Sequence, residues 1–218
     1  MGQTFFLPCV DGNVEFPHPR HALIEPNGLL AYGGDLSSQR LLKAYQQGVF
    51  PWFNEDEPIL WWSPHPRMVL FPEKFHCSRS LQRFIKKTDY DCYWNRDFAT
   101  VIKKCAAPRE QQPGTWISTD MQQAYQELFN QGHAFCVEIE YAGQLAGGIY
   151  GVKGDRALFG ESMFSTHTNG SKIALFEVCK TMLAKQIKVL DCQVYSEHLA
   201  TLGAELIERR KFLQLIDH

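Results

Sequence analysis

The sequence predicts an α+β protein, and three observations carry that expectation. Strand-like stretches between residues 135 and 163 are joined by two glycine-containing turns. A helix-length amphipathic segment follows over 171–187. Then Val189-Leu190-Asp191-Cys192-Gln193-Val194 has the length and composition of an interior strand. A meander, a helix and a strand in that order imply a mostly antiparallel sheet with a helical crossover after its third strand.

The totals suit this class. At 218 residues, with 44% hydrophobic and 21% charged, the chain is long enough to bury a substantial core. A net charge of −2 gives no global attraction to nucleic acid, so any basic surface has to be local. The longest apolar runs fall far short of the roughly 20 residues of a membrane helix. No charged stretch followed by an apolar one opens the chain, so neither a membrane span nor a signal peptide is expected. Seven scattered cysteines include no Cys-x-x-Cys pair and no Cys/His cluster. That argues against structural zinc or another metal site, and for reduced thiols in a cytoplasmic protein.

Prolines from Pro8 to Pro72 break the first part into a small, loop-rich unit, with a boundary expected between 1–67 and 68–218. One helix is expected there, over 37–47: Ser37 caps it, Leu41, Leu42 and Tyr45 form its stripe, and Gly48 ends it. Phe50, Trp52, Phe53, Trp61 and Trp62 follow within a short span. They can fill a small core or wall a pocket, and both readings stand. Residues 78–87 form a second helix with Leu81, Phe84 and Ile85 inward. Arg79, Arg83, Lys86 and Lys87 stack on its other side, with no acid between Cys77 and Thr88. A solvated face and a phosphate-backbone contact are equally open.

Helices over 97–107 and 118–131 follow, capped by Asp97 and by Ser118 or Thr119, the second with Met121, Ala124, Tyr125 and Leu128 as its apolar stripe. Strands 135–141, 145–151 and 157–163 turn at 142–144 and 153–155. In the helix 171–187, Leu175, Val178, Cys179, Met182 and Leu183 form the dry face. Glu177, Lys180, Thr181 and Lys185 form the wet one. A short helix over 196–202 is broken by Gly203, and a last apolar piece follows Glu208-Arg209-Arg210-Lys211.

Familiar sites are mostly absent. Gly147-Gly148-Ile149-Tyr150-Gly151 has the look of a dinucleotide loop but lies inside the meander with no helix after it, where glycines signal a bulge or a close backbone approach. Asp191 stands between apolar residues in an interior strand with Gln193 two positions on, so something must satisfy its carboxylate. A hydrogen-bonded strand-end acid and a catalytic one are both open. The residues by themselves thus leave Glu161, Asp191 and Gln193 near an aromatic pocket, with a basic helix nearby. That set suits acyl transfer from a nucleic-acid-like carrier without establishing it.

Six motifs occur here in one order: Phe50-Pro51-Trp52-Phe53, Trp61-Trp62-Ser63-Pro64-His65-Pro66-Arg67, Gly114-Thr115-Trp116-Ile117, Gly147–Gly151, Gly160-Glu161-Ser162-Met163-Phe164-Ser165 and Asp191-Cys192-Gln193-Val194. In that order the chain resembles the bacterial leucyl/phenylalanyl-tRNA–protein transferases over essentially its whole length. The resemblance implies an N-acetyltransferase-like C-terminal domain over 68–218 beside a small N-terminal domain over 1–67. It implies transfer of Leu or Phe, and less readily Met, from aminoacyl-tRNA to proteins beginning with Arg or Lys. The product is thereby marked for N-degron degradation, and no cofactor is implied. It maps the aminoacyl side-chain pocket to Trp52, Trp116, Ile149, Leu158 and Val178, and the tRNA contact to Arg79, Arg83, Lys86 and Lys87. Asp191, acting with Gln193, would orient and deprotonate the attacking amine, while Gln193 and Glu161 hold the aminoacyl adenosine. Two other classes are weighed against it. An acetyl-CoA-dependent acetyltransferase needs a pyrophosphate loop that Thr168-Asn169-Gly170-Ser171-Lys172 does not match. A non-catalytic RNA-binding protein would need the basic helix alone.

Overall fold

The computed structural model describes residues 7–12, 14–108 and 115–217. The expected polar loop at 109–114, with the Gly114 of one motif, lies outside the described residues. In chain order the first strands and α-helix are β1 (Leu29–Tyr32), α1 (Ser38–Gln46), β2 (Phe50–Pro51) and β3 (Leu60–Trp62). These strands form a three-stranded sheet in the order β1-β3-β2. β4 (Arg67–Leu70), α2 (Arg79–Lys87), β5 (Tyr90–Trp94), α3 (Phe98–Ala106) and α4 (Thr119–Asn130) follow. The meander is β6 (Ala134–Tyr141), β7 (Gln144–Lys153) and β8 (Ala157–Ser165). The chain ends with α5 (Gly170–Ala184), β9 (Val189–Gln193), α6 (Glu197–Thr201), β10 (Glu205–Ile207) and α7 (Arg209–Ile216).

Seven strands make the main sheet, in the order β10-β4-β9-β8-β7-β6-β5. Neighbours run antiparallel except β8 and β9, which the crossover through α5 leaves parallel. The α+β class and the crossover are as expected. Three strands of this sheet were not: β4, β5 and β10. β10 has three residues, and β5 is an edge strand whose residues stay largely half-exposed, so neither shows a clean apolar alternation. β4 begins at Arg67, the residue after which a boundary was expected, and it is buried on both sides.

The caps read from the sequence are made. Ser37, Ser78, Asp97 and Ser118 accept from the backbone N–H of Arg40, Leu81, Thr100 and Met121, each worth about 1 kcal/mol to its helix. α5 departs from the simple two-faced reading. Glu177, assigned to the wet face, is buried and accepts from Tyr90 Oη at 2.7 Å, whereas Leu183 on the dry face is 52% exposed. The helix lies in a tight seat. A Cβ on Gly147 would stand 2.4 Å from the backbone of Gly170, and one on Gly170 would stand 2.0 Å from the Ala146 carbonyl oxygen. Gly147 and Gly170 therefore serve the close approach of α5 to β7, as a glycine inside that strand suggested.

Candidate active site

The aromatic run divides. Trp61 is fully buried, with its indole N–H on the Gly33 carbonyl at 2.9 Å, and Phe50 is 3% exposed. Trp52 instead stands 42% exposed, tilted against Trp62 at 5.6 Å between ring centroids. Trp52 is thus free to wall a pocket. Trp52 and Trp116 border a cavity of about 330 Å³ with Ile149, Met163 and Leu175, the scale of a small-ligand site. Leu158 and Val178, expected in the same wall, do not line it. They are 5% and 0% exposed and belong to the buried cluster around α5. One turn of α5 separates Val178 from Leu175, so the helix presents Leu175 to the cavity.

The polar side of the cavity comes from β8 and β9. Pairing of β9 between β4 and β8 sets Asp191 opposite Val69 and Phe159. Its carboxylate is wholly buried, and Arg67 meets it with both arms of the guanidinium: Nε on Oδ1 at 2.8 Å and Nη2 on Oδ2 at 2.6 Å. Arg67 is itself held between two rings, 4.8 Å from the centroid of Phe50 and 4.6 Å from that of Phe212 on α7. Asp191 Oδ1 also accepts the backbone N–H of Gln193 at 2.9 Å. At Gln193 the strand leaves its ladder with φ 65°, a conformation a side chain rarely adopts unaided, and this hydrogen bond helps to fix it. Sequence reasoning foresaw that Asp191 needs a partner; it did not foresee Arg67.

Glu161 on β8 is surrounded differently. Tyr45 Oη donates to its Oε1 at 2.8 Å and Tyr125 Oη to its Oε2 at 3.0 Å. Gln193 Nε2 donates to Oε1 at 2.8 Å, and the two phenol oxygens also meet each other. Burial pushes the Glu161 carboxyl up to about 7; the tyrosine and glutamine donors pull it down, and nearby Asp191 pushes it further up. Sequence reasoning counted Tyr45 and Tyr125 as apolar stripe residues of α1 and α4. The available signal was the phenol itself, since a buried hydroxyl needs a partner.

The four basic residues of α2, Arg79, Arg83, Lys86 and Lys87, are all exposed. Among the described residues none of them pairs with an acid.

The family model described as leucyl/phenylalanyl-tRNA protein transferase matches residues 69–217, and that of its N-terminal domain matches residues 34–65. This chain belongs to that family. A leucyl/phenylalanyl-tRNA–protein transferase of Nitrosospira multiformis is 49% identical over 95% of this chain and 90% of its own length. One from Nitrosomonas europaea is 53% identical over 90% of this chain and 84% of its own length. The chain is therefore a transferase of the leucyl/phenylalanyl-tRNA–protein type. Among solved structures, a ribosomal-protein-alanine N-acetyltransferase of Brucella melitensis is similar at a TM-score of 0.37, with 14% identity over 60% of this chain and 92% of that one. A GCN5-related N-acetyltransferase-like protein of Streptococcus suis gives 0.35, with 14% identity over 78% and 64%. Likenesses of that size carry no argument, and the α+β class rests on the sheet itself. No described helix is long and apolar enough to cross a membrane.

Proposed function

We propose that this transferase takes Leu or Phe, and less readily Met, from an aminoacyl-tRNA and joins it to the α-amino group of a protein that begins with Arg or Lys. In this reading the product is a substrate of the N-degron pathway in the cytoplasm. The chain then divides into a small unit over 1–67 and a catalytic unit over 68–218. The observation that carries the reading is the cavity: an apolar wall of Trp52, Trp116, Ile149 and Leu175 faces a polar edge of Glu161, Asp191 and Gln193. An apolar slot selects by size and discriminates by only about 1–3 kcal/mol per methylene, which suits a short list of accepted side chains. The exposed cations of α2, which pair with no acid among the described residues, support contact with the phosphates of the tRNA acceptor stem.

In the reaction the amine nitrogen attacks the ester carbonyl carbon. The C–N bond forms, the C–O bond to the ribose breaks, the nitrogen loses a proton and the ribose oxygen gains one. Both oxygens of Asp191 are already taken by Arg67, so Asp191 acts through the Gln193 backbone it holds. Gln193 aligns the amine. Both oxygens of Glu161 are hydrogen-bonded too, but by neutral groups instead of a cation, and with its carboxyl raised to about 7 it is the acid–base group suited to moving the proton. Such help is worth roughly 10²–10⁴-fold, and positioning against an already activated ester supplies the rest.

The test is to mix charged Leu-tRNA with a peptide beginning with Arg and to weigh the peptide. The expected product is the peptide lengthened by one Leu, with Gln193→Ala slowing single turnover by at least tenfold. A peptide left unchanged while the tRNA is bound favours an RNA-binding protein. Acetylation from acetyl-CoA favours the acetyltransferase reading.

A further inference from the structure

The site contains more hydroxyl chemistry than the transfer reading uses. Tyr45 arrives from α1 and Tyr125 from α4, both buried, and their phenol oxygens meet each other as well as Glu161. Three oxygen-to-oxygen contacts close a ring, yet two phenols bring only two protons to it. With Glu161 ionised, both phenols donate to the carboxylate, and the ring has room for one more proton. Burial raises both phenols well above their ordinary 10, so Glu161 is the member of the ring that takes up that proton in the neutral range.

The ring bears on Gln193. A carboxylate can only accept, so an ionised Glu161 dictates that the amide nitrogen, not the oxygen, faces it. The Gln193 side chain then offers its oxygen to the cavity that it lines. Once the ring has its third proton, the charge-assisted bond to the amide becomes an ordinary one, about half as strong, and the preference for one amide orientation weakens.

We propose that Tyr45 and Tyr125 are positioning residues of the transfer reaction: they fix Glu161 so that it turns the Gln193 amide oxygen toward the incoming amine. The inference rests on the transfer reading above. Every neighbour of Glu161 enters the balance. Tyr45 faces it from α1, Tyr125 from α4, Tyr150 from β7, and Asp191 and Gln193 from β9. Arg67 stands behind Asp191, and Cys105 behind Tyr150. The phenols and the amide stabilise the ionised form, whereas Asp191 opposes it. Removing a phenol hydroxyl therefore favours the protonated form and moves the acidic limb of the rate profile to higher pH.

The experiment measures kcat/KM against pH for the wild type, Tyr45→Phe, Tyr125→Phe and the double variant on one Arg-starting peptide. The acceptor amine titrates in the same range, so the displacement between variants on that one peptide is the quantity read. Each lost donor is expected to move the limb up by roughly one pH unit, from a hydrogen bond to a charged group of about 1.5 kcal/mol. The loss of rate is then large at pH 6 and shrinks at pH 9. A uniform loss at every pH, with the limb unmoved, is what a purely structural role gives, and it overturns the proposal. A second measurement needs neither tyrosine variant nor substrate. With ¹³C-labelled glutamate, one side-chain carboxyl of the wild type should titrate near neutrality, and that signal should vanish in Glu161→Gln. Absence of any such carboxyl overturns the proposal even where the tyrosine variants fail to fold. A wild type that extends no peptide defeats the transfer reading instead, and the carboxyl titration still judges the ring.

Discussion

Asp191 and Glu161 border the same cavity and are nearly equally buried, yet they are held by opposite means. Asp191 faces a full positive charge, and that charge is itself confined between the rings of Phe50 and Phe212. Glu161 faces three neutral donors, two phenols and an amide. Neutral donors stabilise a carboxylate less than a guanidinium does, so desolvation wins at Glu161 and lifts it to about 7. A charge partner makes a fixed strut of one acid. Neutral partners make the other responsive in the range where a catalytic group is useful. Gln193 joins them, with its backbone N–H on Asp191 and its side-chain nitrogen on Glu161.

The largest expected effect breaks the strut. Arg67→Met removes the partner of a buried carboxylate and should cost on the order of 3–5 kcal/mol. For a chain of this size that lowers the melting temperature by on the order of 10 °C in a thermal scan. The double variant Arg67→Met, Asp191→Leu should recover much of the loss, because the uncompensated charge is then gone. Additive losses in the double variant would show that the two side chains do not act as a pair.

The second prediction takes the responsive acid. The Glu161 carboxyl is raised from its ordinary 4.5 to about 7 in the fold, so between those values the native state binds more protons than the unfolded chain. Stability from this group is complete below about 4.5 and falls as pH rises through about 7. The total loss is on the order of 3 kcal/mol. Glu161→Gln keeps the shape and abolishes the titration. It should match the wild type in urea unfolding near pH 5, exceed it near pH 8, and lose transfer activity. A variant less stable than the wild type at pH 8 would place Glu161 with Asp191 as a structural acid.

How much of this the sequence discloses depends on whether a signal is local. The helices with Ser and Asp caps, the meander and the crossover are written in periodicity and turn residues within a few positions of each other. The pairing of Arg67 with Asp191 joins distant parts of the chain through the neighbouring strands β4 and β9, and no local pattern encodes a long-range strand partner. Tyr45 and Tyr125 were hidden for a different reason. An aromatic ring satisfies the apolar stripe of a helix, and only the fold reveals that both hydroxyls converge on one carboxylate. The cavity wall lies between these cases. Trp52, Trp116 and Ile149 reach it, but the periodicity of α5 does not say which of its apolar residues faces an opening and which faces the sheet.

That last distinction carries the smallest expected effect, and it extends the contrast between a group that meets the cavity and one locked behind it. Leu175 borders the opening, whereas Val178 is sealed in the cluster with Ile173, Ala174 and Met182. Leu175→Ala widens the slot, and the lost methylenes are worth about 1–3 kcal/mol of discrimination. The ratio of kcat/KM for Phe-tRNA over Leu-tRNA should therefore rise by tenfold or more. Val178→Ala removes atoms that no substrate touches. It should cost about 1–2 kcal/mol of stability through the void it leaves, with the Phe-to-Leu ratio moving less than twofold. Competition between the two charged tRNAs for one peptide, weighed by mass, reads the ratio of each variant in one mixture per variant. If Val178→Ala shifts the ratio as strongly as Leu175→Ala does, then the side-chain slot reaches deeper between α5 and the sheet than the cavity does.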